Sequence, residues 1–391
     1  MSEFRRRLMM VGGGVAPQYA VTKATNAPVM AICFSKGWAA NENYMTFAEA
    51  AAVTDIGAAF KGKNIVTFNE FQYFTGVTSI GGTTGNGFYK TPSLTEITLP
   101  TSVTTIGSYC FQETNISSIE LHEGITTLGA QCFYNTKITS ITIPSTVTSW
   151  TASAFSKASN LVDVTINCNV NNINAMYFEQ CPVATLQIGV GATRYAVYDN
   201  CLYGNDYKKL FYVPQGKTTI TFHTSLVTIG ESACRNTRIN SDITLPSSVT
   251  TINNYAFQSS YFTGITLPSG VKTLPNQCFM DCTRLTKVNA DYITAVNGNC
   301  LRNIRVTTLD FKANVSSFNG YGVFYNTSTL STLIVRKASV VPLSNSALTG
   351  TAIANGNGYV YVPDNLVNSY KTASNWSTYA IYIKPISELP S

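Results

Sequence analysis

The sequence predicts a right-handed solenoid, a stack of short coils carrying a parallel β-sheet on one face, with one inserted β-hairpin and a cap at each end. Three observations carry this. A large residue closes each unit at Phe88, Phe111, Phe133, Phe155, Phe178, Leu202, Cys234, Phe257, Phe279, Leu301 and Phe324, at spacings of 23, 22, 22, 23, 24, 32, 23, 22, 22 and 23. A period this regular marks units that bury their apolar side only by stacking on neighbours. Each unit also holds an I-x-[IL]-P segment such as Ile97-Thr98-Leu99-Pro100, whose period of two reads as a short strand that proline ends. Finally, only 12% of the 391 residues are charged, against about a quarter in typical soluble domains. Most solvent-facing positions must therefore be neutral Ser, Thr, Asn and Gly, as a repeated strand surface would require.

Residues 1–27 are expected to form a flexible tail. Arg5-Arg6-Arg7 followed by Leu8-Met9-Met10-Val11 begins like a secretory signal, but Gly12-Gly13-Gly14 interrupts the apolar region too early. Cys33 lacks the preceding apolar stretch of a lipid-attachment cysteine. Residues 28–76 read as an N-terminal cap. Phe47 to Gly57 has a helical pattern with a glycine stop, and Trp38 to Glu49 looks like a degenerate EF-hand calcium loop. Ala39 stands at the first ligand position, no glycine makes the sharp turn, and the loop is one residue short, so a structural cap is expected rather than a cation site.

The array is expected over residues 77–340. The copy Leu94 to Phe111 recurs as Ile116 to Phe133, Ile138 to Phe155, Ile243 to Phe257 and Ile265 to Phe279. Between the two apolar strand positions lies an outward residue: Thr98, Glu120, Thr142, Thr165, Gln187, Thr244, Thr266, Asn289 and Asp310. The V-x-x-I-G-x-x-[AC]-F half has apolar spacings too irregular for a helix and is expected to form tight turns or a brief helical piece on the opposite side. The 32-residue spacing locates an insert near residues 200–216, where Gly204-Asn205 between apolar runs predicts a two-stranded hairpin. Residues 341–391 form the C-terminal cap, with a strand at Tyr359-Val360-Tyr361-Val362 and a short amphipathic helix after it.

Ten cysteines invite a metal or disulfide reading. Cys110, Cys132, Cys278 and Cys300 occupy the slot that Ala154, Ala233 and Ala256 fill elsewhere, and Cys234 takes the Phe slot, so they read as small buried hydrophobes. Adjacent coils lie about one strand spacing apart, so bridges between Cys110 and Cys132 and between Cys278 and Cys300 stay open. No zinc spacing exists, and no metal or other cofactor is expected. His122 and His223 align with Pro100 after the strand and are expected to face solvent, which leaves no catalytic histidine arrangement. Gly81 to Gly87 lacks a phosphate-binding lysine and reads as a turn. The net charge of +6 is scattered singly and does not support nucleic-acid binding. No apolar run reaches the roughly 18 to 20 residues of a transmembrane helix.

The repeat resembles the BspA-like class of leucine-rich repeats found in bacterial surface proteins. Cysteine-for-alanine before the closing Phe, and the small residue three positions after it (Thr114, Thr136, Cys181, Thr237, Ser260, Cys282 and Thr327), look like that class, as do the hairpin and the C-terminal cap. The resemblance implies a non-enzymatic, adhesin-like protein at the cell surface or outside the cell, binding a host or bacterial surface protein or glycan. The binding residues would be the outward ladder of Thr98, Glu120, Thr142, Thr165, Gln187, Thr244, Thr266 and Asn289. A phage- or appendage-associated attachment protein stands as the alternative.

Overall fold

The computed structural model describes residues 18–390 apart from 83, 84, 172, 313 and 314. The arginine run at residues 5–7 and the middle of the Gly81–Gly87 stretch lie outside the described residues. The chain divides into two compact units, residues 1–138 and 139–391.

The first unit opens with Val21–Thr22 paired antiparallel to Tyr44–Met45. Residues 1–17 of the expected tail lie outside the described residues, but residues 21–27 belong to this strand and to a helix that follows at once over Lys23–Ser35. Thr22 caps it through its hydroxyl, and Asn26 leaves helical geometry (φ −150°, ψ 72°). That break puts Pro28 near the start of the second segment, where a missing N–H costs nothing. Val29, Met30 and Cys33 turn inward. The next helix spans only Phe47–Ala52 and not the expected 47–57, because Val53 is extended (ψ 117°). Gly76 packs against this helix end: a Cβ there would lie 2.4 Å from the Ala51 carbonyl oxygen.

The loop between the helices is closed by the protein's own donors. Glu49 Oε1 accepts the Ala40 N–H at 2.8 Å, and Oε2 accepts the Thr46 N–H at 2.7 Å and its hydroxyl at 2.8 Å. These bonds hold the Glu49 carboxyl below the ordinary carboxylate range. With both oxygens engaged, the residue serves as half of a capping box.

Each coil of the first unit has three sides. The I-x-[IL] strands make one, with Thr67–Phe68 parallel to Glu96–Ile97. The segment expected to hold only turns begins instead with a second parallel strand, seen at Ser79–Ile80, Thr105–Ile106 and Thr127–Leu128. These Thr-Ile and Thr-Leu pairs suit a pleated, half-buried surface, and each lies next to a glycine that lets coils approach closely. At Gly129 a Cβ would sit 2.5 Å from the Ser108 nitrogen. The third side is a ladder of turns in which Tyr109, Glu113, Gln131 and Asn135 take positive φ. There Tyr109 N–H donates to Ala130 O at 2.9 Å, Phe111 N–H to Cys132 O at 2.8 Å and Glu113 N–H to Tyr134 O at 2.9 Å.

Inside lies a phenylalanine spine. Phe60 and Phe88 stack at 5.4 Å, Phe88 and Phe111 at 5.4 Å with planes 3° apart, and Phe111 and Phe133 at 5.5 Å and 7°. Beside it the small polar residue three positions on satisfies the turn: Thr114 Oγ1 donates to Phe111 O at 2.8 Å and Thr136 Oγ1 to Phe133 O at 2.9 Å.

The second unit repeats this plan. Its I-x-[IL] strands form parallel sheets of Ser140–Ile143, Asp163–Ile166 and Thr185–Ile188, of Ile243–Thr244, Gly264–Thr266 and Lys287–Val288, and of Thr308–Phe311, Thr332–Val335, Tyr359–Val362 and Ile383–Pro385. Second-side strands include Thr273–Leu274, Ala295–Val296 and Ser317–Phe318. The hairpin of Cys201–Gly204 with Lys209–Tyr212 is extended by a further antiparallel strand, Tyr195–Tyr198.

One spine assignment changes. Leu202 lies in the middle strand of that meander, and Tyr212 packs 5.3 Å from Phe178 in its place, the two rings tilted by 34°. The extra residues therefore precede Tyr212, which stands 22 residues before Cys234, the normal period. At the far end the strand Tyr359–Val362 and the helix Val367–Thr372 appear as expected. Tyr370 and Trp376 are fully buried, and Trp376 Nε1 donates to Val341 O at 2.7 Å, covering the face a last coil would leave open.

Candidate functional site

The outward ladder divides into groups with different surroundings. In the first unit Thr98 donates through its hydroxyl to Asn69 Oδ1 at 3.1 Å, and Asn69 Nδ2 donates to Glu96 Oε1 at 2.7 Å. Thr98, Glu120, Tyr73 and His122 line a groove of about 550 Å³. His122 was expected to face solvent but is half-buried, with Nε2 donating to Pro100 O at 3.0 Å while Nδ1 accepts the Gly124 N–H at 3.0 Å. His223 is also half-buried, its ring stacked 4.3 Å from Tyr207. Neither imidazole is placed as a general base, since the ring nitrogens of His122 and Nδ1 of His223 serve the backbone.

In the second unit Thr165 faces Thr142 on one side and Gln187 on the other, in parallel register. The same register aligns Ser140, Asp163 and Thr185 one pleat earlier. Alternation along a strand points both rows to the same face, so six polar side chains form a patch three strands wide at spacings of about 4.8 Å. Of these Ser140, Thr142, Asp163 and Gln187 are exposed. The outer row had its own signal in the sequence, since it stands two residues before each outward position.

Further along, Thr244 and Thr266 are register partners and both exposed. Asn289 is used differently: its Oδ1 accepts the Leu267 N–H at 2.6 Å and its Nδ2 donates to Leu267 O at 3.0 Å, so the amide ties two coils together. Asp310 binds the Arg336 guanidinium through two bonds of 2.8 and 2.9 Å, which raises the arginine further above its ordinary pKa. Nearby, Asp242 is held below its usual range first by the Thr263 hydroxyl and then by Lys287 at 3.3 Å.

All ten cysteines are free and buried. Burial pushes the thiols of Cys33, Cys181 and Cys201 up to about 12 and those of Cys110, Cys234 and Cys278 well above their ordinary value. Thiols so deprived of thiolate are poor nucleophiles and metal ligands. Cys181 and Cys282 instead donate to the carbonyls of Phe155 and Phe257, each at 3.0 Å, in the slot of the small polar ladder. Among the described residues no group of three His, Cys, Asp or Glu is placed to hold a metal, and no helix is long and apolar enough to cross a membrane. What the surface offers is regular, neutral hydrogen bonding.

No curated protein matches the sequence. Among solved structures, the pneumococcal vaccine antigen PcpA is similar at 14% identity over 88% of this chain and 84% of its own, with a TM-score of 0.53, a likeness of fold. A leucine-rich repeat protein from Eubacterium ventriosum is 20% identical over 77% of this chain and 81% of its own, with a TM-score of 0.49. One from Bacteroides ovatus is 19% identical over 83% and 88%, with a TM-score of 0.46. The family model of the BspA type leucine rich repeat region matches residues 78–208 and 207–331 in six copies. Those residues are the coils themselves, with their stacked closing residues and glycine-spaced strands, and the chain belongs to the BspA-type leucine-rich repeat family.

Proposed function

We propose that the protein is a non-enzymatic binding protein, displayed at the cell surface or secreted, that captures a protein partner on the polar strand face of the second unit. The observation that carries this is the registered patch of Ser140, Thr142, Asp163, Thr165, Thr185 and Gln187. Its strands are stacked by main-chain hydrogen bonds and backed by the buried side chains of Ile141, Ile143, Val164, Ile166 and Leu186, so its hydrogen-bonding groups are already ordered before contact. Preorganised groups reduce the ordering cost of association. Surface display rests on membership of the BspA-type family, and the vaccine antigen PcpA of similar fold accords with it.

The test is a panel of purified extracellular matrix and bacterial surface proteins, followed by hydrogen exchange on whichever one binds. The complex should slow exchange at residues 140–143, 163–166 and 185–188. Protection confined to the first unit or to the C-terminal cap would contradict the assignment.

A further inference from the structure

The turn ladder of the second unit is broken where the inserted strands alter a coil, and a groove lies beside the break. In regular coils the residue two after the closing position donates its N–H to the main chain of the next coil, as Lys157 does to Glu179 O at 2.8 Å and Asn236 to Gln258 O at 2.9 Å. At Gln180 the pattern changes, next to the coil that carries the inserted strands. The Gln180 N–H donates instead to the side-chain Oε1 of Gln215 at 2.9 Å. With a side chain spanning the gap, the coils part into a groove of about 600 Å³, within the roughly 300–1,000 Å³ usual for small-molecule sites.

Its lining is unlike the rest of the surface. Gln215 is only 7% exposed, and with Oε1 engaged its Nε2 is buried without a partner. A buried donor left in this state is costly and calls for an acceptor from outside. Around it stand the amides of Gln180 and Asn236, the 49% exposed ring of Tyr261 and the exposed guanidinium of Arg238. No acidic residue lines the groove, and Glu179, next to Gln180, is paired with Arg235 at 3.4 Å. Planar amides that satisfy vicinal hydroxyls, an aromatic face for a pyranose ring and an unopposed guanidinium for a carboxylate together describe a site for an acidic sugar.

We infer that this groove is a binding site for a short acidic oligosaccharide, one bearing a uronate or sialate carboxylate, with Tyr261 as its platform, Arg238 on the carboxylate and Gln215 Nε2 on a sugar oxygen. The site lies at the corner before the strand Thr185–Ile188 and does not depend on the protein-binding patch proposed above.

The test uses the full chain on a glycan array carrying uronate-bearing, sialate-bearing and matched neutral oligosaccharides, with calorimetric titration of the strongest binder. The two acidic sets distinguish the source of the carboxylate. A Cβ at Gly216 meets nothing closer than 3.7 Å and Gly216 lines the groove, so Gly216→Trp introduces bulk there from an unstrained position. It should weaken acidic-glycan binding at least tenfold while leaving the melting temperature within a few degrees. Tyr261→Ala should weaken binding similarly, and Arg238→Gln should erase the preference for acidic over neutral sugars. The combined Thr142→Ala, Thr165→Ala and Gln187→Ala variant, which adds no charge, should bind the glycan like wild type, which separates this site from the patch. Absence of acidic-glycan binding on the array, equal binding of neutral sugars, or binding unchanged by Gly216→Trp would overturn the inference.

Discussion

At the scale of single residues, the repeat is enforced by a few positions with no freedom. Phe111 stacks on both Phe88 and Phe133 and is fully buried. Phe111→Ala should cost about 3–5 kcal/mol, by the usual penalty for emptying an aromatic site, read as a lower midpoint in a denaturant titration. Gly129 is constrained by approach: Gly129→Ala puts a methyl 2.5 Å from the Ser108 nitrogen, which must push two coils apart. A loss of several degrees in thermal melting is expected, and an unchanged melting curve would contradict the close packing. The cysteines give a chemical check. All ten are buried, and burial pushes the thiols of Cys33, Cys110, Cys181, Cys201, Cys234 and Cys278 up, so iodoacetamide at pH 8 should leave the ten unlabelled in the native protein and label them after denaturation.

At the scale of elements, what could be read from the sequence depended on element length. The I-x-[IL]-P strands were legible because alternation over four residues, ended by proline, is a signal in itself. The second-side strands at Thr105–Ile106 and Thr127–Leu128 are two residues long, too short to show a period, and are defined by coil-to-coil pairing that no single unit contains. The helix Lys23–Ser35 was hidden by Asn26 and Pro28, although Pro28 near the start of its second segment and Gly37 (φ +70°) just past its end are the usual marks of helix termini. Leu202 falls at nearly the interval of a spine residue, whereas Tyr212 is placed there by the return of the hairpin. The outward positions were legible as positions, but the surroundings of each were not: Thr142 is exposed, while the Asn289 amide is committed to Leu267. The C-terminal element carries its own prediction. Removing residues 359–391 exposes the strand Thr332–Val335 along one edge and uncovers the apolar site filled by Tyr370 and Trp376, and the shortened chain should aggregate at concentrations where the full chain does not.

At the scale of the whole molecule, the low charge has a structural cause. Coils stacked every 22 or 23 residues present the same pleat positions repeatedly, and threonine fills many of them because a β-branched hydroxyl residue suits a strand and meets water without accumulating repulsion between like neighbours. The result is a surface whose hydrogen-bonding groups are ordered by the backbone and whose field is weak, as suits recognition by fit more than by electrostatic steering. The central claim is that one part of this surface, the strands from Ser140 to Ile188, captures a protein partner. It is tested most directly by measuring partner binding, by surface plasmon resonance, to the variant carrying Thr142→Lys, Thr165→Lys and Gln187→Lys. Exposed substitutions of this kind usually cost little stability, so the thermal transition should stay within a few degrees while binding falls at least a hundredfold. Partner binding that persists at wild-type affinity in the folded variant would contradict the claim.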